Sequence, residues 1–459
     1  MQQEQKPLRQ SSRKNHLSLF YDWRLFLYNL AIIIFSPYLL LAKLYRTIRK
    51  RNWSYFIPAR CTTPTFGLPD ANPKAIRLVF MCSALGEILS CIKLTNALRE
   101  IYPELQVIVT VREIADMTAF QRQTGGAPAS FYPFDFWPFV KPWIKKTSPD
   151  VIVAMRLLWF PNIAWASQLW GSPMCAIGVP PRKYKPARFK FWSVLNRWTL
   201  HGYDAIGFLT EEDKQDHLAL FDKNVDVRVT GSTRFVVPRS LRPESAQLKE
   251  WIERNNPEAL PLIVTGSLHR GEPELILDAF QTVRPHCDYL LLMAPRSLDE
   301  VKEIEELLQQ HDIRYSLRSH YDASLQSASR PDVLILDTMG ELSDAYGFGQ
   351  VAYVGGTLHG VGHNIYEPLE WEVPVCFGHG DGKIHVSHTP AIEAGVGFRI
   401  NSSKELADEW LRIITDSQYQ KMLKERCHLF IEQQQEHFKN HVQLLVDMIE
   451  LKKDTAKNE

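Results

Sequence analysis

Two series of short apolar segments, each segment followed by a stretch of helical length, constrain this chain more than any other feature. The first series is Ile76–Met81, Val107–Val111 and Val151–Met155; the second is Pro261–Thr265, Tyr289–Ala294, Val333–Asp337, Val351–Gly356 and Pro374–Gly378. A strand that is apolar on both faces must be covered on both faces, and a parallel sheet with crossover helices such as Ala84–Ile101 does this. Between Arg239 and Leu260 the rhythm lapses into polar, proline-containing sequence that reads as a seam. The expected architecture is therefore α/β, with two Rossmann-like domains facing one cleft. Its parts are a first domain over 61–238, a linker over 239–260, a second domain with terminal helices over 261–451, and a frayed tail over 452–459. A length of 459 residues accommodates two large α/β domains of this kind.

Residues 1–60 stand apart. From Leu25 to Ala42 the chain carries no charge, a length close to that of a bilayer core. Pro37 interrupts the run and no small-residue cleavage site precedes Lys43, which argues against a signal peptide. Basic residues flank both sides, with Lys6, Arg9, Arg13, Lys14 and Arg24 before it and Lys43, Arg46, Arg49, Lys50, Arg51 and Arg60 after it. A span would export one basic flank against the positive-inside tendency, whereas a shallow or hairpin-like anchor on an anionic lipid surface avoids that conflict. Both forms of membrane anchor stay open, beside a buried core helix.

The 53 Lys and Arg balance 52 Asp and Glu, which excludes nucleic-acid binding driven by overall positive charge. Seven scattered cysteines without a Cys-x-x-Cys pair suit a reducing compartment and carry no zinc signature. His359, His363, His379, His385 and His388 lack a paired acid at ligand spacing, so no metal is expected there.

Candidate chemistry lies at the strand ends. Glu87 falls in the opening turn of the helix after the first strand, where a carboxylate is either a catalytic base or a partner of the helix dipole. After Val351–Gly356 comes a glycine-rich turn, in which Asn364 precedes a helix carrying Glu367; backbone N–H groups at such a turn hold anions, although a tight turn needs glycines too. Ser267, His269, Gly271 and Glu272 form one further loop, and Pro295 with Arg296 another; Arg296 offers a fork for phosphate. The run Arg182–Trp192, five cations among four aromatics, fits either a lipid-acceptor surface or a solvated helix face.

Taken in order, Ser83…Gly86-Glu87, Pro133…Asp135, Trp159…Pro161-Asn162, Val229-Thr230-Gly231, Ser267…His269…Gly271-Glu272, Asp337-Thr338-Met339-Gly340-Glu341-Leu342, Gly355-Gly356 and Gly362-His363-Asn364…Glu367-Pro368 resemble the Kdo transferases, which attach 3-deoxy-D-manno-octulosonic acid to lipid A. The resemblance implies a GT-B type, inverting and metal-independent glycosyltransferase. It would use CMP-Kdo on a lipid A precursor or related glycolipid, N-terminally anchored at the cytoplasmic face of the inner membrane. Glu87 matches the family base. Pro295, Arg296, Met339, Gly340, Glu341, Asn364, Ile365, Tyr366 and Glu367 are similar to its CMP-holding segments, with Ser267, His269, Gly271 and Glu272 on the donor side. The resemblance gives no metal, cofactor or nucleic-acid partner.

The departures fall in the first domain. Where the family pattern carries an acid, this chain has Arg156; where the family has a lysine, it has Arg234, a possible transition-state stabiliser. Val111-Arg112-Glu113 and Gly178-Val179-Pro180-Pro181-Arg182 also differ. Besides Kdo transfer to lipid A precursor, these departures leave open a CMP-sugar transferase with another glycolipid acceptor and a non-catalytic paralogue that binds nucleotide or lipid.

Overall fold

The computed structural model describes residues 23, 25–36, 59–62, 65–69, 75–83, 85–112, 117–118, 120–121, 124–158, 160–179, 200, 202–218, 225–233, 245–322, 330–356, 358, 363–379 and 385–457. The chain divides into one unit of residues 1–235 with 436–459 and a second of residues 236–435.

The first unit is built on eight strands: β1 (Thr65–Phe66), β2 (Arg77–Met81), β3 (Gln106–Val111), β4 (Ala129–Phe131), β5 (Val151–Ala154), β6 (Met174–Val179), β7 (Ala205–Phe208) and β8 (Asp226–Val229). Their order is β1-β4-β3-β2-β5-β6-β7-β8; all neighbours are parallel except β1 with β4. Crossovers include α1 (Leu85–Ile101), α2 (Trp137–Thr147), α3 (Pro161–Trp170) and α4 (Glu211–Leu218). Alternation along the strands decides what packs where. Leu78, Phe80, Val107, Val109, Val151 and Val153 face Ile88, Leu94 and Leu98 of α1 and the C-terminal Leu444, Leu445, Met448 and Ile449. Val79, Met81, Ile108, Ile152 and Ala154 face Val140 and Trp143 of α2, Ile163 and Ala166 of α3, and Leu25.

The second unit holds seven strands, all parallel, in the order β11-β12-β10-β9-β13-β14-β15: β9 (Leu262–Leu268), β10 (Leu290–Pro295), β11 (Tyr315–Leu317), β12 (Val333–Ile335), β13 (Val351–Val354), β14 (Val375–Gly378) and β15 (Gly397–Ile400). Its helices include α5 (Ala246–Asn255), α6 (Glu272–Val283), α7 (Val301–Gln310), α8 (His385–Glu393), α9 (Ser403–Thr415) and the start of α10 (Ser417–Lys457). One sheet face packs on Leu248, Trp251 and Ile252 of α5, the other on Ile276 and Phe280 of α6 and on Trp410 of α9. Both sheets are Rossmann-like, and in each the order reverses beside the first long parallel strand, between β2 and β5 and between β9 and β13.

Three boundaries differ from the expectation. The stretch 239–260 is no bare linker: it contains α5, whose Trp251 is wholly buried in the second unit. The tail is not frayed to its end, because α10 runs to Lys457 and Lys452 Nζ donates to Gly171 O at 2.7 Å. Residues from Glu436 onward belong to the first unit rather than the second. Of the hydrophobic N-terminal run, residues 25–36 are helical and hold to the first unit through buried Leu25 and Asn29. Among the described residues no helix is long and apolar enough to cross a membrane, and 37–42 lie outside them.

Candidate functional site

In the first unit the strand-order reversal brings together the residues that follow β2 and β5. Ser83 lies between β2 and α1, and its N–H donates to Oε2 of Glu87 at 2.5 Å. Glu87 therefore does cap the turn, one of its two expected roles, but with a single oxygen. Its Oε1 accepts Nε–H of Arg156 at 2.6 Å and also an Nη2–H of the same guanidinium. Arg156 reaches it from the end of β5. The Glu87 side chain is 11% exposed and that of Arg156 46% exposed. The result is a carboxylate fixed on both oxygens at the carboxyl edge of a parallel sheet, where ligands of such folds bind.

Around this pair the scaffold is tight. The Tyr132 hydroxyl lies 3.4 Å from Ser83 Oγ, and burial pushes its pKa up. Arg60 stacks over the rings of Tyr132 and Phe134, at 4.6 and 4.4 Å, and donates to the carbonyls of Tyr132 and Pro133. Asp135 accepts the N–H groups of Asn162 and Ile163 at 3.1 and 2.9 Å, capping α3, and burial raises its carboxyl to about 7. Asn29 Nδ2 donates to Asn162 Oδ1 at 2.7 Å, and Asn29 Oδ1 accepts the N–H of Trp137 at 3.0 Å. The Pro133…Asp135 and Pro161-Asn162 strings thus form a buried frame that holds segment 25–36. Close to α1, Ser90 Oγ donates to Thr233 O at 2.5 Å, while Gly231, at φ +81°, leaves room only for the His437 ring. Arg234 lies outside the described residues, as do Trp159, Glu113 and the run from Arg182 to Trp192.

In the second unit the reversal joins the loops after β9 and β13. Ser267 adopts φ +54°, a strained conformation for a non-glycine residue and one that gathers at functional sites. Glu272 is fully buried and accepts the N–H of His269 at 2.8 Å, that of Gly356 at 2.8–2.9 Å and the Tyr353 hydroxyl at 3.3 Å. It fixes both loops from below, so its carboxylate binds backbone rather than ligand. Gly355 must be glycine, since a Cβ would sit 2.4 Å from Glu272 Oε2 and 2.5 Å from Ser267 O. Gly271, at φ +86°, caps α6.

Above this frame His269 Nε2 and His363 Nε2 lie 2.6 Å apart with their rings stacked at 4.9 Å. One nitrogen must carry the proton that the other accepts. Burial, together with the positive charge of Arg296 and the neighbouring His269, lowers His363 to about 4. Arg296, exposed after β10 and Pro295, is tied by its N–H to Leu268 O at 2.8 Å. Met339 is 74% exposed beside Gly340, at φ +91°, whereas Glu341 is engaged by Arg318 at 2.9 Å and by the Thr338 hydroxyl. Asn364 Nδ2 reaches Glu367 Oε1 at 3.3 Å. Ile365 and Tyr366 are buried in the core, so their side chains hold the loop rather than a nucleotide. The Glu87–Arg156 and His269–His363 pairs were not anticipated; strand order puts each pair together, and the one advance signal was that each member follows an apolar strand.

A family model described as 3-Deoxy-D-manno-octulosonic-acid transferase (kdotransferase) matches residues 60–237. The chain is 26% identical over 377 residues to the 3-deoxy-D-manno-octulosonic acid transferase of Chlamydia trachomatis serovar D, covering 81% of this chain and 85% of that protein. It is 26% identical over 405 residues to the Bordetella pertussis protein of the same name, covering 85% and 91%. A solved glycosyltransferase from Rickettsia africae, 13% identical, covers 84% of this chain and 100% of its own with a TM-score of 0.53, a likeness of fold alone.

Proposed function

Since the chain is a divergent member of the 3-deoxy-D-manno-octulosonic acid (Kdo) transferase family and a glycosyltransferase, we propose that it transfers Kdo from CMP-Kdo to a lipid A precursor with inversion. The observation that carries this reading is Glu87, an acid held by both oxygens at the strand-order reversal and still at the solvent edge. In the reaction the acceptor hydroxyl gives its proton to Glu87 while its oxygen bonds to the anomeric carbon. The bond from that carbon to the phosphate oxygen breaks, and CMP leaves with the electron pair. Arg296 and the N–H groups of the turn around Asn364 meet the charge of the leaving phosphate, and the reading needs no metal for that task.

The same reading places the enzyme at the cytoplasmic surface of an inner membrane. Segment 25–36 buries Leu25 and Asn29 against the first unit and leaves Phe26, Leu27, Leu30, Ile33, Ile34 and Phe35 exposed, a surface suited to lying within a lipid interface.

Detergent-solubilised protein, a CMP-Kdo generating system and tetra-acylated lipid A precursor, followed by mass spectrometry, test the proposal. A Kdo-sized mass gain is expected, falling roughly 10²–10⁴-fold in Glu87→Gln. Wild-type protein that binds CMP but adds no sugar would overturn the acceptor, and protein that binds no CMP would overturn the donor.

A further inference from the structure

We propose that Arg156 binds the carboxylate of the donor sugar while it holds Glu87, so that one guanidinium stands between the two anions as the glycosidic bond forms. This inference rests on the Kdo-transfer reading above.

The geometry supplies the open half of a fork. A guanidinium carries five N–H groups in a plane. Arg156 uses Nε–H and one Nη2–H on a single oxygen of Glu87. Its opposite edge, formed by Nη1 and the second Nη2 hydrogen, meets no partner among the described residues, and the side chain is 46% exposed. That edge has the bidentate shape that carboxylates take. Glu87 cannot follow Arg156 elsewhere, because its other oxygen is bound to the Ser83 N–H at 2.5 Å within the first turn of α1.

The chemistry places an anion near this edge. In a sugar acid of this class the carboxylate is attached to the anomeric carbon itself. At the moment of proton transfer the attacking oxygen lies about 2.6–3.2 Å from the base and about 3–3.5 Å from the anomeric carbon. The sugar carboxylate therefore comes within roughly 5–7 Å of Glu87, whichever face the sugar presents. Two carboxylates at about 6 Å repel by roughly 100-fold in binding at an effective dielectric constant near 20. A cation bonded to one of them and open towards the other removes that penalty. The sugar carboxylate is unchanged by the reaction: the acceptor proton moves to Glu87, the acceptor oxygen bonds to carbon, and the carbon–phosphate oxygen bond breaks. Once Glu87 is protonated, Arg156 remains paired with the sugar acid.

The test uses full-length protein, a non-transferable phosphonate-linked analogue of CMP-Kdo and the carboxamide of that analogue, titrated calorimetrically. Wild type should bind the acid about 10- to 100-fold more tightly than the amide. Arg156→Gln should bind both alike, with CMP itself bound as in wild type, which shows that the fold is intact. Arg156→Lys should recover part of the preference, and Glu87→Gln should keep it. Equal binding of acid and amide by wild type, or an undiminished preference in Arg156→Gln, would overturn the proposal. So would an Arg156→Gln defect in acceptor KM that disappears with a dephosphorylated acceptor, since Arg156 would then serve the acceptor. Failure of wild type to bind the acid analogue at all would sink the donor reading itself, and this inference with it.

Discussion

At the scale of single residues, the acids of this chain divide by what their oxygens touch. Glu87 and Glu272 each follow the first parallel strand of a Rossmann-like sheet and each open a helix, so spacing alone makes them look alike. Glu272 is fully buried and surrounded by N–H and O–H donors from His269, Gly356 and Tyr353, whereas Glu87 shares its oxygens between one backbone N–H and an exposed arginine. The first is a clamp, and the second is the acid that the proposed transfer would use as its base. Sequence reading could locate both because a parallel sheet fixes which edge they reach. It could not separate them, because two partners of Glu272, Tyr353 and Gly356, lie 81 and 84 positions away. Glu272→Gln keeps the size but turns an amide N–H₂ towards backbone donors, leaving at least one of them unmet. Urea unfolding should show a loss of about 1–3 kcal/mol, and CMP affinity should fall with it as the His269 and Gly356 loops are released. A variant as stable as wild type would show that these bonds do not hold the two loops.

At the scale of elements, the central strands β2, β3, β5, β9, β10, β12, β13 and β14 are legible because both of their faces are buried and their sequence is mostly apolar, whereas β1, β4, β6, β7, β8, β11 and β15 are not marked in this way in the sequence. Helices whose stability comes from a distant surface are not legible either. In α5 only Leu248, Trp251 and Ile252 mark the buried stripe within a polar stretch, and the last turns of α10 depend on Gly171, 281 positions earlier. Pairing of segment 25–36 with α3 was equally hidden, since it runs through Asn29, Asn162 and Asp135, polar residues that sequence alone assigns to the surface. That junction should respond to pH. Burial raises the Asp135 carboxyl from its ordinary 3.8 to about 7, so the folded chain holds the proton more tightly than the unfolded chain. The resulting stability is complete below the unfolded value and is lost as pH rises through about 7. Wild type should therefore gain about 2–3 kcal/mol relative to Asp135→Asn between pH 7 and pH 5. Chemical denaturation at the two values measures this directly, and an equal difference at both would show that Asp135 titrates as it does in the unfolded chain.

At the scale of the whole molecule, attachment to a membrane depends on where the apolar surface is. Length and lack of charge in the N-terminal run suit a span and an interfacial anchor equally well. The helical part, 25–36, spends one side on the first unit, with Leu25 in its core and Asn29 bonded to Asn162 and Trp137. A helix bonded to two helices of a folded unit through polar side chains is poorly suited to crossing a bilayer, where those groups would lose their partners. Its outward positions include Ile33, Ile34 and Phe35 at 54%, 64% and 63% exposure, with Phe26, Leu27 and Leu30 exposed as well. Partition into a lipid interface would bury these side chains at about 1.5–3 kcal/mol each, with the basic flanks adding attraction to anionic headgroups. The double substitution Ile34→Lys, Phe35→Lys alters only exposed positions and should leave CMP binding and unfolding unchanged. It should lower co-sedimentation with phosphatidylglycerol-containing vesicles at least 10-fold, and wild-type binding should weaken as salt is raised. Undiminished vesicle binding by the double variant would move the anchor away from this face, to the uncharged residues between Pro37 and Ala42.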